Sequence, residues 1–403
     1  MPHHLAPPTT GAALLAEGLG VLAAHQERAE RTLSLVPAEN LMTPLARLPL
    51  IADLYARYLF DEDPNPATGE WRFPSAKTGA WLESGLAVPL LARLIDAEHV
   101  NVRPLSGLHA MEMTIAALGG GASGTLACLA PEQGGHYATA DVARRLGHRP
   151  VYLPVGAGGL DLDALEGFLC EHRPALVYLD QCHVLTALDA APVADTIRRA
   201  GTKTFLHTDI SHTLGLVLGG ALPNPLDAGA GSISASTHKT FPGPHKGIIA
   251  TRDPAAAQQV KAVQPQLVSN HQLGAVAALG LSLAAFADQG AAYAHTVITN
   301  ARALGKHLAQ SGWEVAGAEF GYTNTHQLWI TTTPHLDARE AAARLYAAGL
   351  HVNWLTDLPP PPARAAPGFG RGHLAGPAPG RHVPSRADHD RRPRRHPPGA
   401  RTR

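Results

Sequence analysis

A lysine set among small and hydroxylated residues is the most chemically informative feature of this chain. The segment 232–240 reads SISASTHKT and carries Lys239 near its end. Upstream, the run LHTDISH carries Asp209 and His212. An amine in apolar or small surroundings is poorly hydrated, which lowers its pKa and favours the reactive neutral form. The pattern therefore predicts an amine nucleophile with a carboxylate one strand upstream.

This pair of residue types suits pyridoxal phosphate (PLP). The cofactor binds a lysine amine as a Schiff base, and a carboxylate keeps its pyridine nitrogen protonated. We therefore expect Lys239 to bind PLP covalently and Asp209 to pair with the ring nitrogen. The alternative is a surface lysine in a loop, since a single lysine motif is weak evidence.

Three further segments could complete a cofactor pocket. Ser106 and Gly107 follow a short β-rich run and open a helical stretch, where a hydroxyl and backbone N–H groups can bind phosphate. His136 follows two glycines, which suits an imidazole stacked on a flat ring. Asp209 and His212 flank a turn, so both can point toward one pocket. Taken singly, these segments are equally compatible with a helix cap, a glycine turn and a capping aspartate.

Apolar runs alternate with amphipathic helical stretches between about residues 44 and 252. This alternation is typical of an α/β fold whose largely parallel sheet is covered on both faces. Ligands of such sheets bind beyond the carboxyl ends of the strands, where Asp209 would lie. The predicted strands are Val100–Val102, Thr125–Leu129, Pro150–Leu153, Leu176–Leu179, Thr204–Thr208 and Gly247–Thr251.

The same pattern predicts four segments. Residues 1–43 form an N-terminal arm, 44–272 a large PLP-binding domain, and 273–358 an incomplete small α/β domain. Residues 359–403 are rich in Pro, Gly, Arg and His without apolar periodicity, which predicts disorder. Because this change is abrupt, we expect a frameshift between Pro359 and Pro362.

Composition excludes several classes of protein. The chain has 403 residues, 45% of them hydrophobic, and a formal net charge of zero, so no global field draws it to nucleic acid or anionic membranes. Its three cysteines are too few and too scattered for a disulfide framework or a zinc site. We expect no metal, no membrane span and a cytoplasmic location.

Taken in order, the motifs resemble the serine hydroxymethyltransferase family of PLP-dependent enzymes. The resemblance extends from about residue 33 to 354. It includes PAEN at 37–40, NVRPLSG at 101–107, GGH at 134–136, DISH at 209–212 and STHKT at 236–240. It implies PLP-dependent transferase fold type I, with a mostly parallel seven-stranded sheet in the large domain and a small C-terminal α/β domain.

The resemblance also implies roles for particular residues. Lys239 would bind PLP covalently, Asp209 would pair with the pyridine nitrogen and His136 would stack on the ring. Tyr58 would act across the interface of a homodimer, or of a dimer of dimers. The implied cofactor-binding set is Ser106, Gly107, His136, Asp209, His212, Thr237, His238 and Lys239.

Departures from the family pattern fall on groups that would serve folate chemistry. Ala38 replaces a serine that meets the substrate carboxylate, and Phe60 replaces a catalytic glutamate. The loops at Gln133 and Ser269 also differ. The cofactor set is intact, so the resemblance is to the threonine transaldolase branch, which transfers a glycyl unit from threonine to an aldehyde without folate.

The sequence motifs are also compatible with other functions. The first is a serine/glycine hydroxymethyltransferase that uses tetrahydrofolate, and the second is a non-catalytic, degenerate family member. Aldol cleavage without transfer is a further one. The family binds the substrate carboxylate with an arginine of the small domain, and Arg364 is the nearest candidate. If the frame is shifted there, we expect weak substrate binding.

Overall fold

The computed structural model describes residues 10–59, 68–156, 159–332, 336–355 and 358. These residues fall in one compact unit, 1–364. Phe60, Arg364, the expected frameshift and the tail from 359 lie outside the described residues. The proposed boundary between the large and small domains at 272/273 stays a prediction.

The strands fall into one large sheet and three two-stranded pairs. In chain order they are β1 (Leu33–Ser34), β2 (His99–Asn101), β3 (Thr125–Cys128), β4 (Arg149–Tyr152), β5 (Val155–Gly156), β6 (Gly159–Leu160), β7 (Leu176–Asp180), β8 (Phe205–Asp209), β9 (Ser232–Ser236), β10 (Gly247–Thr251), β11 (Glu314–Val315), β12 (Ile330–Thr331) and β13 (Leu350–His351).

The large sheet has seven strands in the order β2-β10-β9-β8-β7-β3-β4. Only β10 runs antiparallel to its neighbours, which confirms the predicted mostly parallel sheet. The register places Asp180, Asp209 and Ser234 side by side on β7, β8 and β9. Chemistry-bearing side chains of three strands therefore meet at one edge of the sheet.

Helices connect the strands and cover the sheet. They are α1 (Gly11–Glu30), α2 (Pro44–Arg47), α3 (Lys77–Trp81), α4 (Val88–Ile95), α5 (Gly107–Leu118), α6 (Thr139–Arg145), α7 (Leu162–His172), α8 (Ala191–Ala200), α9 (Leu214–Leu218), α10 (Pro254–Leu267), α11 (Leu273–Gln310) and α12 (Ala338–Ala347). A π-helical turn, Leu82–Ala87, joins α3 to α4. Short 3₁₀ turns are Pro37–Glu39, Leu48–Leu50, Asp53–Ala56, Pro74–Ala76, Pro131–Gln133 and Ala318–Phe320.

The two-residue period of β7 shows how both faces of the sheet are buried. Val177 and Leu179 pack in one cluster with residues of α7 and α8. Leu176 and Tyr178 pack in another with residues of α5 and α6. Successive strand side chains point to opposite faces, so a strand between two helical layers buries both sets of side chains. This is why β7 is apolar from Leu176 to Leu179 and buried at every position.

Helix α11 is the one helix within the described ranges that is long and apolar enough to cross a membrane by length and composition. Length and composition do not distinguish a span from a core helix, so the expectation of no membrane span stays a prediction. In the structure 56% of its most apolar window is buried, and Val276, Leu283 and Phe286 pack into a core cluster with α4 and α9. Such burial is typical of a core helix of a soluble protein.

Helix α9 packs closely on the chain that follows Lys239. A Cβ added at Gly215 would collide with the Thr240 carbonyl and lie 2.7 Å from the backbone nitrogen of Phe241. The obstacle is backbone, which cannot rotate away as a side chain can. Glycine at 215 is therefore a condition for placing the lysine loop.

We predict that Gly215→Ala destabilises the protein by about 1–3 kcal/mol, because overpacking forces backbone to move. Gly167→Ala is the matched control: it lies in α7 with no atom within 4 Å of the added Cβ. Alanine there should raise stability by roughly 0.5–1 kcal/mol, because glycine disfavours helix. Urea unfolding of both variants measures the difference, and equal unfolding midpoints would contradict the packing argument.

Candidate active site

Asp209 ends β8 and is held by three hydrogen-bond donors. The hydroxyls of Tyr178 and Ser234 each donate to its Oδ2 at 3.0 Å, and the backbone N–H of Ser211 donates to Oδ1 at 2.8 Å. The side chain of Ser234 also lies 2.9 Å from Nε2 of the buried His207. A carboxylate with donors on both oxygens has a fixed direction, as expected of a group that must meet one ring nitrogen.

Lys239 follows β9 in a loop that is fixed on both sides. The Asn40 side chain donates to the Lys239 carbonyl oxygen at 2.6 Å, and the Thr240 hydroxyl donates to the His212 carbonyl at 2.8 Å. Burial lowers the pKa of Lys239, although the charge of Asp209 acts to raise it. The small surroundings predict this direction, and it favours the neutral amine.

His212 lies beside the lysine amine. Its Nε2 is 3.2 Å from Lys239 Nζ and 3.7 Å from Cys182 Sγ. Its ring stacks with His326 at 5.8 Å between centroids, and both ring nitrogens of His326 lack a hydrogen-bond partner within the described ranges. Burial and the charge of Lys239 hold the pKa of His212 well below its ordinary value. His212, which contacts the amine, is therefore neutral, and the charge that acts on the amine is that of Asp209.

Ser106 caps the N-terminus of α5, and its Oγ accepts from the backbone N–H of His109 at 3.1 Å. A Cβ at Gly107 would lie 2.8 Å from the Cβ of Ser236. Glycine thus lets the helix N-terminus approach the end of β9. Ser236 ends β9, and His238 lies in the loop that follows it. The buried atoms Ser236 Oγ and His238 Nδ1 have no hydrogen-bond partner in the described part of the chain. A helix N-terminus with nearby unpartnered polar atoms is suited to an anion.

His136 lies in the predicted glycine loop. The carbonyl of Gly134 accepts from the backbone N–H groups of Cys182 and His183 at 3.0 and 3.2 Å, which ties this loop to the segment after β7. Burial lowers the pKa of His136, and the charges of Asp209 and Lys239 also act on it. The structure therefore brings His136 into the same neighbourhood as the lysine and the aspartate.

Two predicted residues contact other parts of the protein. The Thr237 hydroxyl donates to the Pro244 carbonyl at 2.5 Å, and its backbone N–H donates to the Lys246 carbonyl at 3.0 Å. Thr237 therefore shapes the lysine loop, and its role in binding the cofactor stays a prediction. Tyr58 pairs through its hydroxyl with Ser269 of the same chain, so its role across an interface stays a prediction.

Sequence reasoning missed several residues of this site. Asp180 ends β7 as Asp209 ends β8, and this repeated pattern of an apolar run closed by aspartate could have revealed it. Its Oδ2 accepts from Thr139, and its Oδ1 has no partner within the described ranges. Burial raises the pKa of Asp180 to about 7. Tyr178, Asn40, Cys182 and Gln327 were missed because only the folded chain brings them near Lys239.

A second lysine is buried more deeply than Lys239. Lys246 is fully inaccessible, and its Nζ donates to the His271 carbonyl at 2.8 Å. Burial lowers its pKa to about 7. It lies beside an internal ion pair in which Arg103 Nε binds Glu83 at 2.8 Å. Burial opposes ionisation of Glu83, but His271 and Arg103 outweigh it and lower the pKa of that carboxyl to about 2.

The residues fit PLP. An amine with a lowered pKa, an oriented carboxylate and an anion-suited helix N-terminus are the three groups that the cofactor needs. No group of three His, Cys, Asp or Glu in the described part of the chain is arranged to hold a metal ion.

A family model named serine hydroxymethyltransferase matches residues 90–354. This chain belongs to the serine hydroxymethyltransferase family. The predicted family, the type I fold and the assignment as a PLP-dependent transferase are thereby confirmed.

Known relatives give more detail. The chain is 46% identical, over 83% of its length and 81% of the relative, to an L-threonine:uridine-5'-aldehyde transaldolase of an Amycolatopsis species. It is 36% identical, over 84% of its length and 78% of the relative, to a serine hydroxymethyltransferase of Pyrobaculum neutrophilum. The solved L-threonine transaldolase of Pseudomonas fluorescens, in its internal aldimine state, matches with a TM-score of 0.76 and 27% identity, covering 87% of this chain and 80% of that one.

Proposed function

We propose that this enzyme is a folate-independent L-threonine transaldolase. It transfers a glycyl unit from threonine to an aldehyde and releases acetaldehyde. The observation that carries the proposal is the partly buried Lys239 amine, 3.2 Å from His212 and under the influence of the Asp209 charge. Relatives named as threonine transaldolases are 40–46% identical, against 33–36% for the hydroxymethyltransferases, which favours transaldolation over the folate-dependent alternative.

The chain's residues would divide the work as follows. Lys239, in its amine form, would bind the cofactor and can accept a proton. Asp209 would hold a proton at the ring nitrogen, with its direction fixed by the donors on its two oxygens. The N-terminus of α5, with Ser106 and Ser236, would bind the phosphate. Bound PLP supplies an electron sink for the charge left when a bond to the α-carbon breaks.

The acceptor aldehyde is proposed from the relatives. Three of them are named for uridine-5'-aldehyde, and each covers more than four fifths of this chain. We therefore propose a nucleoside 5'-aldehyde as the acceptor class. The two substrates are then small molecules: an amino acid and an aldehyde.

We predict that the purified enzyme releases acetaldehyde from L-threonine without tetrahydrofolate and forms a new β-hydroxy amino acid from uridine-5'-aldehyde. A coupled alcohol dehydrogenase assay follows acetaldehyde, and mass spectrometry identifies the product. Lys239→Ala should abolish both, because it removes the amine that binds the cofactor. The control Lys203→Ala removes an exposed lysine and should retain activity. Serine cleavage that appears only with tetrahydrofolate would overturn the proposal.

We also propose a cytoplasmic homodimer. Helix α1 has no buried residue, and Leu15, Leu19 and Leu22 are each more than half exposed. The following segment exposes Leu41 and Ile51 to 73% and 86%. Monomers rarely expose so many large apolar side chains together, so a second copy of the chain is a suitable occupant. Three unpaired cysteines accord with a reducing compartment.

For the dimer, light scattering should give about twice the 42.3 kDa chain mass. A double variant, Leu19→Glu with Leu22→Glu, should shift the protein toward monomer because charges would be buried at the contact. Glu17→Ala on the same helix serves as the control and should leave the mass unchanged. A wild-type protein of single-chain mass at micromolar concentration would rule the dimer out.

A further inference from the structure

The side-chain amide of Gln327 has only one possible orientation. Its Oε1 accepts from the backbone N–H of Val184 and from the indole N–H of Trp329, each at 3.2 Å. Its Nε2 donates to the Cys182 carbonyl oxygen at 2.9 Å. An N–H group cannot accept and a carbonyl cannot donate, so exchanging the amide oxygen and nitrogen would break all three contacts.

This orientation determines which nitrogen of His212 carries the proton. The Nε2 of Gln327 also lies 3.4 Å from Nδ1 of His212. Because the amide nitrogen can offer only hydrogens, Nδ1 must present its lone pair. A neutral imidazole has one N–H, which is therefore at Nε2. That atom faces Lys239 Nζ at 3.2 Å and Cys182 Sγ at 3.7 Å.

We propose that Gln327 is a positioning residue that holds His212 as the neutral Nε2–H tautomer, a fixed hydrogen-bond donor beside Lys239. An Nε2–H can donate to a neutral amine or to an oxygen, but it opposes an ammonium. Protonation of His212 would place a second N–H against the amide N–H of Gln327. The contact therefore disfavours both a charged His212 and a charged Lys239. Its catalytic consequence rests on the proposed function, whereas the tautomer does not.

The groups whose charges act on His212 do not raise its pKa. The titratable groups that act on the pKa of His212 are Lys239, His326, His183 and His136, and the Cys182 thiol contacts its ring. The nearby carboxylate is Asp209, whose charge acts on Lys239, His136 and Cys182. After burial, the charges of Lys239 and of the neighbouring histidines lower the pKa of His212, and burial raises the pKa of the Cys182 thiol to about 11. The surroundings already keep the His212 ring neutral, and Gln327 determines which ring nitrogen carries the proton.

Two variants of Gln327 distinguish its hydrogen-bond polarity toward His212 from the volume that its side chain fills. Gln327→Glu keeps an oxygen for Val184 and Trp329 and places a second acceptor against Nδ1 of His212. It should move the proton to Nδ1 or stabilise the imidazolium, so the pKa of His212 rises. Gln327→Met fills a similar volume without any hydrogen bond, so it removes the constraint without reversing it.

Nitrogen-15 spectra of histidine-labelled holoenzyme read the tautomer directly, with His212→Asn identifying the signals. In the wild type we expect a protonated Nε2 and a bare Nδ1 from about pH 5.5 to 8.5, the range in which histidine ordinarily titrates. Gln327→Glu should show a protonated Nδ1. A wild-type His212 with a protonated Nδ1, or a Gln327→Glu spectrum like that of the wild type, would overturn the proposal. This readout needs no substrate, so it holds or fails independently of transaldolase activity.

Threonine cleavage then tests the catalytic consequence. In Gln327→Glu the rate should fall about tenfold per pH unit below the raised pKa of His212 and recover at higher pH, since imidazolium forms as the pH drops. Gln327→Met should lower kcat without a new ionisation. If both variants lose the same activity at every pH and unfold at the same lower temperature, Gln327 is structural only and the positioning role is wrong.

Discussion

Desolvation of one lysine amine is the constraint on which the rest of this site depends. An ammonium group loses hydration when it is buried, so burial favours the neutral amine, the form that can attack a carbonyl. Burial lowers the pKa of Lys239, and the charge of Asp209 acts in the opposite direction. The site must therefore keep a carboxylate near the amine without letting the two form a closed ion pair. Hydrogen bonds from Tyr178, Ser234 and the Ser211 N–H engage both oxygens of Asp209 and reduce that attraction.

The sheet makes this arrangement possible through register. Asp180, Asp209 and Ser234 end up adjacent because β7, β8 and β9 are parallel neighbours. The lysine loop then depends on contacts from distant parts of the chain: Asn40 holds the Lys239 carbonyl, and Gly215 allows α9 to lie against Thr240. Residues from distant regions of the sequence thus fix one amine. This explains why the motifs are informative only as a set.

The sequence predicted the sheet well where strands are apolar and poorly where they are not. Six predicted runs overlap β2, β3, β4, β7, β8 and β10, because each contains an apolar stretch with a period of two or a continuous apolar core. The residues of β9 were interpreted as a lysine motif and not as a strand, because three of the five are serines. The strand is nevertheless buried at every position. Lys239, Asp209, His136 and His212 could be found from motif order, whereas Gln327 could not. Its role depends on three contacts that form only after folding, and no local pattern encodes them.

Lys239, and not the fully buried Lys246, is the lysine proposed to bind the cofactor covalently. Lys246 also has a lowered pKa, but its amine is fully buried and donates to the His271 carbonyl. Borohydride reduction of the purified holoenzyme, followed by proteolysis and mass spectrometry, distinguishes the two. We expect a pyridoxyl mass on the peptide that contains Lys239 and an unmodified Lys246. A pyridoxyl group on Lys246, or on any other lysine while Lys239 stays unmodified, would contradict it.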